Sequence, residues 1–273
     1  MAAGRLPEDG ELRLGPVMLP AGRRVLAEQG AGEPVAWATR QVVPDVGRVW
    51  SALSDVHEQT GLVPVLLAAE PAEVPQGLAF DIFWDSPGDV TEVDHLDAAD
   101  VLRRMWEGSL EPEECDDRPP AAREYAPFGR QFPGLAPPED GKLPMARLHE
   151  VLVSLPPARL GLIPAARPAD VLPLVGWIPS DWPGGMLPTA AVVRSWEARF
   201  GARLLTIGPG RIQLLAERPP RTSAAAERLA AEHFAFCDEC GGQGLRYVSA
   251  IAASLEGAPA STAPRPAPRP ASS

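Results

Sequence analysis

The segments VLPLVGW (171–177), AAVVRSWEARFG (190–201), ARLLTIGPGRIQLLAERPP (202–220) and AAERLAAEHFAF (225–236) change hydrophobic period several times. Each change carries its own stop signal. Val171–Trp177 is a short apolar run with β-branched members between Pro168 and Pro179, the pattern of a strand covered on both faces. Thr189 is placed to cap a helix whose apolar residues Val192, Val193, Trp196 and Phe200 share one face, with Arg194, Glu197 and Arg199 on or beside the opposite one. Gly201 follows, where a left-handed cap costs glycine least. Ala202–Ile207 and Arg211–Glu217 then flank Gly208-Pro209-Gly210, a composition that favours a hairpin. Pro219-Pro220 ends the second strand. Thr222 or Ser223 caps a last helix carrying Ala226, Leu229, Ala230, His233 and Phe234 on one stripe. The pattern predicts an α+β fold, with small mixed or antiparallel sheets covered by helices and joined by long Pro/Gly-rich loops.

Upstream, residues 1–10 are expected to fray. Glu11–Leu19 and Val35–Val43 suggest strands. Pro44-Asp45 opens a helix with Val46, Val49, Trp50, Leu53, Val56 and His57 on one stripe, stopped by Gly61. Val63–Ala68 is an apolar strand in which Pro64 argues for an edge or first position. Asp97 can cap a helix through Val101, Leu102, Met105 and Trp106. Glu111–Gly141 is rich in Pro, Gly and charge and is expected to lack regular structure. A helix from Pro144 to about Leu155 and a strand near Arg159–Ile163 lead back to the central stretch. From Ala258 the Pro/Ala/Ser sequence has no apolar pattern, as in a disordered tail. The expected organisation is therefore an N-terminal half (11–110), a connection (111–143), a C-terminal α+β domain (144–256) and a tail (257–273), the two halves packed as one unit.

The chain has 273 residues, 33 of them proline and 25 glycine, with a net charge of −11. Thirteen acidic residues against Arg103 and Arg104 lie between Asp81 and Asp117, so this one segment holds the whole excess. With no compensating basic stripe, a nucleic-acid partner is not expected. The segment could dock a basic protein, and a solvated, solubilising face is the plainer account. No apolar run approaches the length of about 20 residues that spans a membrane. The N-terminus has no apolar signal-like core, and three cysteines fit a reducing compartment. A cytoplasmic location is expected.

SWEARFGARL (195–204), ERPP (217–220) and AEHFAFC (231–237) resemble the bacterial family filed as domain of unknown function 4253. PFGRQFPGLAPP (127–138), RLGLIPAARPAD (159–170) and TGLVPVLL (60–67) are similar to regions preceding that domain in its longer members. The resemblance runs from about Leu19 to Leu255 and implies no known activity. After AEHFAFC the family usually continues with Pro-Asp-Asn and an aromatic-rich terminus. Here Asp238-Glu239-Cys240-Gly241-Gly242 and a Pro/Ala/Ser tail follow instead.

Two constellations could carry chemistry. His233, Cys237 and Cys240, with Cys115 remote, have a spacing that could present ligands to zinc. A structural zinc site usually pairs two such knuckles, and His233 lies on an apolar stripe, which favours a core histidine. Trp177, Asp181, Trp182, Arg194, Trp196 and Glu197 surround a Pro/Gly-rich loop and have the composition of a small-ligand pocket. The alternative is that Trp177 and Trp196 are core, Trp182 packs over them, and Arg194 pairs with Glu197 or Asp181. There is no Gly-x-Ser-x-Gly, His-Glu-x-x-His or phosphate-binding Gly-rich loop, and no motif calls for a cofactor. The sequence favours a non-enzymatic binding or protein-interaction module. A small-molecule enzyme, a hydrolase among the options, working near Trp177–Trp196 is the alternative.

Overall fold

Strands from both ends of the chain interleave in a single sheet. The computed structural model describes residues 3–26, 32–67, 87–110, 127–177, 185–208, 211–236 and 260–262. In chain order these form β1 (Gly10–Leu14), β2 (Val17–Leu26), β3 (Pro34–Thr39), α1 (Val46–Asp55), α2 (His57–Thr60) and β4 (Leu62–Leu67). A 3-10 turn (Glu92–His95), α3 (Ala98–Gly108), α4 (Met145–Val153) and β5 (Arg159–Pro164) follow. A second 3-10 turn (Pro168–Asp170), α5 (Val171–Leu174), α6 (Met186–Phe200), β6 (Ala202–Gly208), β7 (Arg211–Ala216), α7 (Ser223–Phe236) and β8 (Ala260–Thr262) complete it. The strand order is β1-β2-β3-β5-β4-β6-β7-β8. β4 and β6 pair in parallel and every other neighbouring pair is antiparallel, so the fold is α+β on a mixed sheet.

The period-2 alternation of the central strands sorts their side chains onto two faces. Val63, Val65 and Leu67 of β4 and Ile163 of β5 point to the face covered by α3, α5, α6 and α7. Leu62 and Leu66, with Leu160 and Leu162, point to the face covered by α1 and α4. Both faces are dry, which is why these strands read as continuous apolar runs. No helix among the described residues is long and apolar enough to cross a membrane.

The helix stripes form largely as the spacing predicts. Asp97 Oδ1 accepts from the amides of Ala99 (2.8 Å) and Asp100 (3.0 Å) at the start of α3. Thr222 Oγ1 accepts from Ala225 N (3.2 Å) at the start of α7. Gly61 and Gly201 end their helices in the left-handed region, at φ 64° and 60°. The β6–β7 hairpin is present, and residues 127–141 carry no helix or strand.

Five local expectations are corrected. Val171–Trp177 is not a strand: Val171–Leu174 is helical and a turn at Val175–Gly176 follows. Pro168 starts the 3-10 turn, α5 follows, and Trp177 N donates to Leu172 O at 2.9 Å. Val171, Leu172, Val175 and Trp177 are all buried, and burial on every side removes the periodicity that separates helix from strand. Thr189 does not cap α6, which begins at Met186 after Gly185; its hydroxyl donates back to Gly185 O at 2.8 Å. Pro64 sits in a central strand. β4 pairs with β6 at Leu66 and Leu67, beyond the proline ring, and Trp50 Nε1 donates to Pro64 O at 2.9 Å. The N-terminal strand is a hairpin, with β1 and β2 turning at Gly15 (φ 56°). Residues 3–9 are tied down: Gly4 N donates to Gly61 O, Arg24 Nε to Pro7 O and Trp37 Nε1 to Glu8 O. In the tail, residues 260–262 form β8; residues 257–259 and 263–273 lie outside the described residues.

Candidate functional site

Helix α6 places polar groups on two flanks. On the first, Arg194 Nε donates to Asp170 Oδ1 at 2.5 Å, one terminal nitrogen donates to Asp94 Oδ1 at 2.6 Å, and the other to Val90 O at 3.1 Å. Arg194 and Asp170 are only 12% and 10% exposed, whereas Asp94 is 68% exposed. Burial works against the Arg194 charge, but the two carboxylates outweigh it and raise its pKa. One helical turn on, Glu197 Oε2 accepts from Arg167 Nε at 2.9 Å. Burial raises the Glu197 carboxyl above the usual carboxylate range, Arg167 opposes this, and Asp170 adds to it. The 3-10 turn at 168–170 and the segment 90–94 therefore close over this flank of α6.

The other flank holds a buried carboxylate. Glu232 of α7 has no exposed surface. Its Oε1 accepts from Ala136 N at 2.6 Å and from Arg199 at 2.7 Å. Its Oε2 accepts from Trp196 Nε1 at 2.8 Å and from Arg199 at 2.5 Å. Arg199 also donates to Ala136 O (2.8 Å) and, through Nε, to Ser195 Oγ (3.0 Å). The bidentate pair joins α6, α7 and the irregular 127–141 segment in one satisfied network. Trp196 stacks on His233 at 4.6 Å between ring centroids and meets the edge of Phe236 at 4.8 Å.

The sequence-predicted pocket residues divide between these two networks. Arg194 and Glu197 share the first through Asp170 and Arg167, and Trp196 belongs to the second. Trp177 is buried in the same core cluster, and its Nε1 donates to Gly208 O at 2.9 Å. Asp181 and Trp182 lie outside the described residues. Arg194 pairs with Asp94 and Asp170, not with Glu197. Sequence reasoning passed over Asp170, Arg199 and Glu232. Glu232 had a signal: with His233 it interrupts the otherwise apolar run Leu229–Phe236, and it is the one acidic residue there.

The four histidines occupy quiet positions. His57 is buried and its Nε2–H donates to Ala165 O at 2.9 Å; His233 Nδ1–H donates to Leu229 O at 2.8 Å. The bonded nitrogens carry the hydrogens because carbonyls only accept. His95 and His149 are exposed. Burial lowers the His233 pKa below the ordinary histidine range. Cys115, Cys237 and Cys240 lie outside the described residues, and among those described no group of three His, Cys, Asp or Glu side chains could hold a metal ion.

The described part of the acidic segment, 87–110, buries Val101, Leu102, Met105 and Trp106 of α3 and exposes Asp89, Glu92, Asp94, Asp97, Asp100 and Glu107. Thr91 donates through its hydroxyl and amide to Asp89, which lowers that carboxyl's pKa. Arg103 bridges Asp100 and Glu107.

Residues 159–262 match the family model described as Domain of unknown function (DUF4253). The match begins at the first residue of β5 and ends at the last of β8. It thus contains α5, α6 and α7 with Arg167, Asp170, Arg194, Trp196, Glu197, Arg199 and Glu232, while Val90, Asp94 and Ala136 lie before it, and it bears out the resemblance for the motifs that fall within it. No curated protein and no solved structure matches the chain.

Proposed function

We propose that the chain is a non-enzymatic interaction module that docks a basic protein partner through the acidic face of segment 81–117. The observation that carries this reading is the division within 87–110. The apolar stripe of α3 is spent on the core, while six carboxylates are presented outward with Arg103 and Arg104 as the accompanying cations. Such a surface attracts a basic partner over roughly a Debye length, about 8–10 Å at physiological salt.

The double reversal Glu92→Lys/Glu107→Lys tests the reading. Neither side chain caps a helix, and the Arg103–Glu107 pair is exposed, so the fold should survive. At low ionic strength the wild-type chain should retain basic proteins that elute as salt rises, and the variant should lose them. Identical retention by both chains would refute the docking face.

One observation favours the alternative of a small-molecule enzyme near Trp177–Trp196. Glu197 is a partly buried carboxyl with a raised pKa beside Arg167 and Asp170, as a general acid would be. Hydrolysis of generic ester or amide substrates by the wild type, abolished in Glu197→Gln, would select that reading.

A further inference from the structure

The sheet ends on one side in β1, which pairs with β2 alone. No described strand lies along its outer side. The residues before it lead the other way, across β2 and β3. Asp9 Oδ1 accepts from Arg24 N at 2.9 Å, Glu8 O accepts from Trp37 Nε1 at 3.1 Å, and Gly4 N donates to Gly61 O at 2.8 Å. Among the described residues, the outward backbone groups of β1 are open to another strand.

The turn decides which groups those are. Two residues, Gly15 and Pro16, join β1 to β2, with Leu14 opposite Val17. A two-residue turn is closed by a pair that exchanges both ladder bonds, and backbone groups then alternate in direction along the strand. Leu14 and Leu12 thus turn their N–H and C=O toward β2, and Arg13 and Glu11 turn theirs outward. Side chains alternate too. Leu12 and Leu14 are partly buried against the core on the α1 side of the sheet, whereas Glu11 and Arg13 are exposed on the opposite face.

We infer that β1 is the two-fold seam of a homodimer in which the edges of two copies pair antiparallel about Leu12. Under that axis Glu11 lies opposite the partner's Arg13, and Arg13 opposite the partner's Glu11. Both outward-turned residues of each strand then form ladder pairs, and opposite charges meet on one face. On the other face Leu12 meets the partner's Leu12 at the close spacing of a pair without ladder bonds. Moving the axis by one residue would set Glu11 against the partner's Glu11, or Arg13 against the partner's Arg13, so the charges also select the register. Charges on an edge ordinarily deter pairing. Here their order makes the strand complementary to itself. The edge is also not where the protein's negative charge sits: residues 1–26 carry four arginines against three carboxylates, and the excess lies in 81–117. A five-residue edge gives a contact below the about 1,200 Å² of standard interfaces, so the dimer is weak and concentration-dependent.

Sedimentation of the full chain at rising concentration tests this, with a charge exchange as the control. The wild type should pass from monomer to dimer between micromolar and millimolar concentration. The amides of Glu11 and Arg13 should gain exchange protection over the same range. Arg13→Glu alone and Glu11→Arg alone each set like charges opposite one another and should weaken the dimer at least about tenfold. The exchange Glu11→Arg/Arg13→Glu keeps the complementarity and should restore wild-type affinity. The two single variants, mixed, should dimerise with each other, which also shows that each is folded. A wild type that stays monomeric to millimolar concentration would overturn the inference. A dimer that both reversals leave intact would overturn it too, by placing the interface elsewhere, as would a double exchange no tighter than the single variants.

Discussion

Glu232 is a carboxylate with no exposed surface that receives four donated hydrogen bonds, two of them from Arg199. Removing one partner of such a pair strands the other charge in the core. Glu232→Ala should therefore destabilise the protein by about 3–5 kcal/mol, whereas replacing both partners, as in Arg199→Met/Glu232→Leu, should recover much of the loss. Denaturant titrations of the single and double variants measure this, and losses that simply add would show that the pair is not a coupled unit. His233 and Glu197 give opposite pH signatures. The unfolded His233 takes up a proton near its ordinary value of 6.5 while the buried folded form resists, so stability contributed here falls as pH drops below 6.5. Glu197 works the other way: its unfolded form ionises from about 4.5 while the folded form holds its proton, so stability falls as pH rises through that window. Glu197→Gln should thus gain stability relative to the wild type as pH rises above about 4.5. A pH-independent difference would contradict the raised carboxyl. The core position of His233 was legible from its apolar stripe, whereas the burial of the charged groups on α6 was not. Arg194 and Arg199 belong to the polar side of an amphipathic helix, and only distant segments, 90–94 and 132–139, cover them.

Elements were more legible than their partners. The stripes of α1, α3, α6 and α7 and the β6–β7 hairpin follow from local period and from glycine stops, which depend on neighbours within a few residues. Val171–Leu174 failed as a strand because a short run buried all round has no period to read. Pro64 misled because the place of a strand within a sheet is set by partners about 100 and 140 residues away, β5 and β6. Helix contact also lay beyond local reading. Gly47 of α1 is buried, and a Cβ built there would run into the backbone carbonyl of Leu152 in α4. Gly47→Ala should force these helices apart and cost about 1–3 kcal/mol, despite alanine's better helix propensity. A shifted denaturation midpoint would report this, and an unchanged or raised midpoint would refute the close packing.

At the scale of the molecule, β5 lies between β3 and β4, and β6 pairs with β4, so strands from before and after the 111–143 connection share one sheet. The sequence showed each half as an α/β pattern but could not show that crossing, because pairing is a property of the whole chain. The charge distribution was readable at once. Asp81–Asp117 carries an excess equal to the net charge of the protein, and the structure places the described carboxylates of 87–110 at the surface. Which side chains could form a pocket was less readable, because Trp177, Arg194, Trp196 and Glu197 each engage partners that lie far away in sequence. Native mass spectrometry of the full chain, purified from its own source at low ionic strength beside the Glu92→Lys/Glu107→Lys variant, tests the central proposal most directly. The account predicts a complex between the wild type and a basic protein that the variant fails to form. A tightly held small molecule in both chains, or the same complex in both, would contradict it.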